Sequence, residues 1–231
     1  MDIFSFHLAD SGITSTFSSL LRPPSIKYVP GLKHSECMIP MMLGRPMASP
    51  GRYRTHQIAF FARWERESAI ENFLSNRKLG QILAKGWHVR MEFLRRWGSV
   101  SELADLTATV AQIDERHPVV AVTLARLKLS QAFRFVRWGK PVEEQVRDHP
   151  ATTLSLAAMR PLRTISTFSI WTSQKAMTDM VNGRSSESLA NRHAIAMKER
   201  IRKDFHHEFT TLRFRPISEH GTWQSKGSYL P

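Results

Sequence analysis

Residues 164–171, TISTFSIW, and residues 191–214, NRHAIAMKERIRKDFHHEFTTLRF, read together as strand, helix, strand, with His193 inside the helix. The first run is rich in β-branched and aromatic residues, as a half-buried strand is. Between them, Ala176, Met177 and Met180 have helical spacing. The cluster from Gly183 to Ser188 breaks that helix, and a second helical run from Leu189 carries Ile195, Met197 and Ile201. EFTTLRF returns to strand chemistry.

The same plan occurs at residues 57–64, QIAFFARW. Ala69 and Arg77 follow Trp64 by the same offsets at which Ala176 and Arg184 follow Trp171. A fixed-offset repeat implies a duplicated unit and sets the architecture. Trp87-His88-Val89 is expected to lead a helix, as Arg192-His193-Ala194 does, with strands LTATV (106–110) and EFTTLRF after them.

Working outward, residues 2–10 alternate Phe4, Phe6 and Leu8 against Ile3, Ser5 and His7, a strand pattern. A short helix through Phe17, Leu20 and Leu21 stops at Pro23-Pro24, since proline disfavours helix before it and lacks a donor. A strand over 35–44, a Pro/Gly/Arg loop over 45–54, the strand 57–64 and helices between Ser68 and Trp97 complete the first set. Strand 119–127, helix 129–146 and strand 152–159 begin the second. Each set has the order β-α-β-β-α-β, a ferredoxin-like unit.

The expected fold class is therefore α+β: two ferredoxin-like units, their sheets packed face to face into a barrel with helices outside and a hydrophobic cavity between the sheets. The repeats are assigned to residues 1–115 and 116–220. Residues 221–231 form a tail tucked in by Trp223.

The chain has 231 residues, 42% of them hydrophobic, enough for a packed core. No window approaches a membrane span, and MDIFSFHLAD lacks a signal-peptide layout, so the expected location is cytoplasmic, with peripheral membrane association left open. The single Cys37 excludes an internal disulfide framework and a Cys-rich zinc site, and reads as a small buried hydrophobe. The formal net charge of +13 is scattered, without a basic tail, zinc-finger spacing or an RNA-binding aromatic signature, which argues against a nucleic-acid partner. An anionic membrane surface, anionic cofactor groups or an acidic partner would suit that charge. No paired carboxylates, nucleophile elbow, phosphate loop or dinucleotide fingerprint is present, so ordinary hydrolase and nucleotide chemistry has no support.

VPGL (29–32), TFSIW (167–171), His193-x-x-Ala196-Met197, Phe205-His206-x-Glu208, Arg213-Phe214 and the helix bearing Arg134-Phe135 resemble bacterial spheroidene monooxygenase and its relatives. The resemblance spans most of the chain and is strongest from 119 to 223. It implies the dimeric α/β-barrel fold, shared with chlorite dismutases, dye-decolorising peroxidases and aldoxime dehydratases. It also implies haem b between a sheet and helices, with His193 as the axial iron ligand, and oxygen insertion into a carotenoid-like substrate.

A neutral imidazole is a good iron ligand when its second nitrogen is held by a hydrogen bond and an apolar wall receives the porphyrin. Leu189, Met197 and Ile201 are expected to form that wall, with Met197 a cofactor contact. His88 is the second choice of ligand. Arg77 and Arg184, at equivalent repeat positions, could each pair with a haem propionate or another carboxylate. His206 and His207 point to opposite faces of a strand, so at most one faces the cavity. The expected function is a haem-dependent monooxygenase acting on a hydrophobic small molecule, with an electron donor and a homodimer as further partners. A haem-dependent aldoxime-dehydratase-like lyase, a cofactor-free barrel monooxygenase or isomerase, and a non-catalytic haem or lipid binder remain open.

Overall fold

In a computed structural model, residues 2–109, 114–161, 164–184 and 191–231 are described. The first unit comprises β1 (Ile3–Asp10), α1 (Ile13–Leu21), β2 (Leu32–Met41), β3 (Gln57–Trp64), α2 (Glu67–Asn76), α3 (Lys78–Ala84) and β4 (Trp87–Ser99). The second comprises β5 (Val119–Leu127), α4 (Ala132–Asp148), β6 (Thr152–Arg160), β7 (Thr164–Trp171), α5 (Gln174–Val181), α6 (Arg192–Arg202) and β8 (His206–His220).

The eight strands form one closed antiparallel barrel in the order β1-β3-β2-β6-β7-β5-β8-β4. Within it, β4-β1-β3-β2 and β8-β5-β7-β6 are the same ferredoxin-like order, joined edge to edge by β2–β6 and β4–β8. Closure leaves no free sheet edge. This is the expected α+β barrel of two repeats, with helices outside.

One strand corrects the sequence reading. Residues 87–99 are β4 rather than a helix, and His88 lies on that strand. Trp87, Val89, Met91 and Phe93 alternate into the barrel core, so period 2 wins over the helix-forming Arg, Glu and Leu between them. Of the expected strand LTATV, residues 106–109 carry only a single bridge, Arg95 to Thr109, and Val110 lies outside the described residues.

The space between the sheets is filled rather than hollow. Phe6 stacks on Phe168 with centroids 3.9 Å apart, and Phe4 meets Phe214 at 4.9 Å, so aromatic pairs bridge the two halves. Interiors of eight-stranded barrels are just wide enough to be filled this way. At one mouth Glu36 pairs with Arg126 at 2.5 Å, and Arg63 holds Asp2 and Asp105 at 2.6 and 2.7 Å. At the other, Glu219 accepts the Trp87 indole N–H (2.5 Å) and the backbone N–H of Tyr229 (2.7 Å) and Leu230 (2.9 Å), drawing in a tail whose Trp223 is buried as expected.

On the outer face of the first half, Phe60, Ala62 and Trp64 bury fully under Ile70, Phe73 and Leu74 of α2 and Leu83 of α3. Gly80 allows α3 to pass close to α2, because a Cβ there would lie 1.9 Å from the Phe73 carbonyl oxygen. Cys37 belongs to this layer, and burial pushes its thiol up, which keeps it inert as the sequence implied.

Candidate functional site

The outer face of the second half is built differently. Strand register places Thr211, Thr123, Thr167 and Ala157 in one row across β8, β5, β7 and β6. The next row is Arg213, Ala121, Ser169 and Ser155, and the row on the other side is Phe209, Ala125, Ile165 and Met159. Paired residues share a face of the sheet. The floor is thus mostly Ala, Ser and Thr. Thr167 is exposed although strands flank it on both sides, and Thr123, Thr211 and Ser155 are half-exposed. The described helices therefore leave part of this floor uncovered.

Around the opening, α5 is anchored by Met177 and Met180 against Trp171 and Val119. Helix α6 is clamped to α4: Arg134 pairs with Glu199 at one end, and Arg192 Nη1 reaches Glu144 at 2.8 Å at the other. His193 therefore sits at the junction of three helices. Its backbone N–H donates to Gln145 Oε1 (3.0 Å) and its ring Nδ1 lies 3.1 Å from the Val181 carbonyl. A carbonyl only accepts, so Nδ1 carries the proton and Nε2 keeps its lone pair. Burial, together with the nearby Arg213 charge, holds the His193 imidazole below its ordinary value, so it is neutral at neutral pH.

The other expected site residues scatter. Met197 is half-buried on α6, one turn from His193 on the same helix face. Ile201 is 86% exposed and belongs to no wall, and Leu189 lies outside the described residues. Arg184 is exposed just past α5, its backbone N–H on the Asp179 carbonyl. Arg77 lies in the helical layer of the first half, between α2 and α3, donating to the Tyr28 carbonyl at 2.7 Å. The structure does not bring it to His193.

His88 is buried on β4, sandwiched between His7 and His220 with ring centroids 4.7 Å away on each side. Both ring faces are thus occupied by imidazoles. His206 is buried against Phe135 and Phe209 while His207 is exposed, as alternation required. Among the described residues no three His, Cys, Asp or Glu side chains assemble to hold a bare metal ion. No described helix is long and apolar enough to cross a membrane.

Arg213 entered the sequence reading only as half of the Arg213-Phe214 pair, with no role in the site. It points outward from β8 and is 7% exposed. Its Nη1 reaches Gln174 Oε1 at 3.3 Å and Met177 Sδ at 2.9 Å, and its guanidinium carbon lies 4.9 Å from the Trp97 ring centroid. Its Nε has no partner, and burial, with Arg95 nearby, holds the guanidinium down to about 10. The available signal was its place one residue before the inward-facing Phe214, which puts an arginine under the helices.

No family model matches the chain, and no curated protein matches it. Among solved structures, an anthrone oxidase-like protein superposes with a TM-score of 0.35 at 12% identity, covering 95% of this chain and 92% of that one. A heme-degrading enzyme from Listeria monocytogenes does so with a TM-score of 0.30 at 8% identity, over 92% and 99%. Both fits are loose. An aldoxime dehydratase in complex with butyraldoxime superposes at 0.53, with 7% identity over 94% of this chain and 80% of that chain. At that identity the likeness is one of fold, and the chain shares the fold of the aldoxime dehydratase.

Proposed function

We propose that the second half-barrel binds haem b between its sheet and helices, with His193 on iron, and that the protein oxidises a hydrophobic small molecule. The observation that carries this reading is His193 itself: a neutral imidazole, Nδ1 tied to the Val181 carbonyl, beside an open floor of small side chains. When bound, haem supplies activation of dioxygen or peroxide. The chain's own part is to present and shape. Val181 fixes the tautomer and ring orientation, which raises the basicity of Nε2. Gln145 pins the backbone at the ligand, and the two ion pairs between α4 and α6 set how far the helix stands from the sheet. Alanine and threonine rows keep the floor low, as a flat ring would need, and Met197 would offer an adaptable apolar contact.

The test is an absorption spectrum of protein expressed with a haem precursor, for wild type and His193→Ala. A Soret band that is lost or strongly shifted in the variant is expected. An unchanged band would move the ligand elsewhere, with His88 next in line. No band after adding haemin would sink the haem reading and leave a cofactor-free barrel. Haem-dependent dehydration of an aldoxime is a second reading, favoured by the fold shared with an aldoxime dehydratase. Turnover of butyraldoxime under reducing conditions, against oxygen incorporation into a carotenoid, separates the two.

A further inference from the structure

Duplication makes each residue of one half comparable with a residue of the other. Aligning Trp64 with Trp171 through the strand registers places Ser5 with Ala121, and hence their partners Arg90 and Arg213, at equivalent positions. The same offsets align Glu67 with Gln174 and Glu71 with Thr178. In the first half both carboxylates from α2 pair with the buried Arg90. In the second half the equivalent helix offers an amide and a hydroxyl, and Arg213 has no carboxylate partner among the described residues. A buried cation left without its counter-charge is costly, by more than an ion pair at the surface ever returns. The fold supplies the neutralising groups at one site and withholds them at the other.

We infer that Arg213 is a binding position for a carboxylate carried by the ligand of the second half-barrel. Planar guanidinium donors match a carboxylate bidentately, and the Nε of Arg213 is already free to donate. Trp97 stacks on one face and Gln174 holds one Nη, so the side chain is fixed before the ligand arrives. The position stands on the asymmetry between the halves. Only the identification of the acid as a porphyrin propionate rests on the haem reading.

Protoporphyrin IX, which has two propionates and no iron, is titrated against its dimethyl ester by tryptophan quenching of the full chain. Wild type is expected to prefer the free acid at least tenfold. Gln174→Glu, which places beside Arg213 the carboxylate that Glu67 gives Arg90, is expected to reduce that preference to near unity without lowering the melting temperature. Arg213→Gln is the second variant. If neither iron-free porphyrin binds wild type, the Soret band with haemin still decides the haem reading, and the same comparison of acid with neutral analogue is made with oleate and oleyl alcohol. Preference for oleate, lost in Gln174→Glu, would assign the position to an acidic substrate. Equal binding of acid and ester, and of oleate and its alcohol, or an acid preference that survives both variants, overturns the inference.

Discussion

One row across each half-barrel shows how the two have diverged. In the first half Cys37, Phe60, His7 and His88 lie side by side, all buried beneath α2 and α3. The equivalent row in the second half is Ala157, Thr167, Thr123 and Thr211, where only Ala157 is buried. Topology and register are the same. What differs is side-chain size: Phe60 stacks on Phe73 of α2 at 5.6 Å, and no residue of comparable bulk rises from Thr167 to meet α5 or α6. A packed half can hold the barrel together while a half floored with small residues remains free to take a ligand.

Truncating the packed row should have the largest effect. Phe60→Ala removes a fully buried ring from a layer that cannot collapse around it, and should cost about 3–5 kcal/mol in denaturant unfolding. A loss below about 1 kcal/mol would mean that the first half is not the rigid one.

The histidines of that row give the next effect. Burial lowers His7 well below its ordinary value, reinforced by His88, Arg90 and His220, and lowers His88 to about 4, reinforced by His220 and Arg90. Both are neutral when folded, whereas an unfolded chain takes up protons near pH 6.5. Their contribution to stability is full above about 6.5 and is lost as pH falls from there to the folded value, about 4 for His88. His88 alone accounts for roughly 3 kcal/mol over that window. His88→Phe, which keeps an aromatic between His7 and His220, should flatten the fall in unfolding free energy between pH 6.5 and 4. An unchanged slope would place the titration in other histidines, of which His206 is the nearest in character.

Much of this contrast was legible before the fold. Trp64 and Trp171 close equivalent strands, each with its indole N–H on a serine, Ser5 and Ser169, at 2.8 Å in both cases. Their fixed offsets to Ala69 and Ala176 reported the duplication because the offset is a local property of strand, turn and helix. His193 was chosen on its likeness to a family motif instead, and its expected repeat counterpart, His88, lies on β4 opposite His7. Residues 87–99 were not read correctly, since Arg, Glu, Met and Leu favour helix and only pairing with β1 and β8 makes their alternation decisive. The filling of the barrel by Phe6 on Phe168 joins residues from different repeats, and nothing local encodes it. Arg213 was quoted only as part of a pair and stood as one of thirty-three cations in role, because an arginine becomes informative only when the carboxylates opposite it are known to be missing.

The smallest expected effects on stability come from the open row, and they sharpen the comparison most. Thr167→Ala should change unfolding free energy by no more than about 0.5 kcal/mol, because an exposed hydroxyl on a sheet floor touches little. Thr167→Phe copies Phe60 into the second half. If that half is open because its floor is small, the ring enters the space above the sheet with little strain. Stability then stays within about 1 kcal/mol of wild type, while porphyrin binding weakens at least tenfold. If the helices already rested on Thr167, the same substitution would destabilise by about 1–3 kcal/mol through overpacking. A pair of melting curves and one titration therefore decide whether the second half is a slot or merely a looser copy of the first.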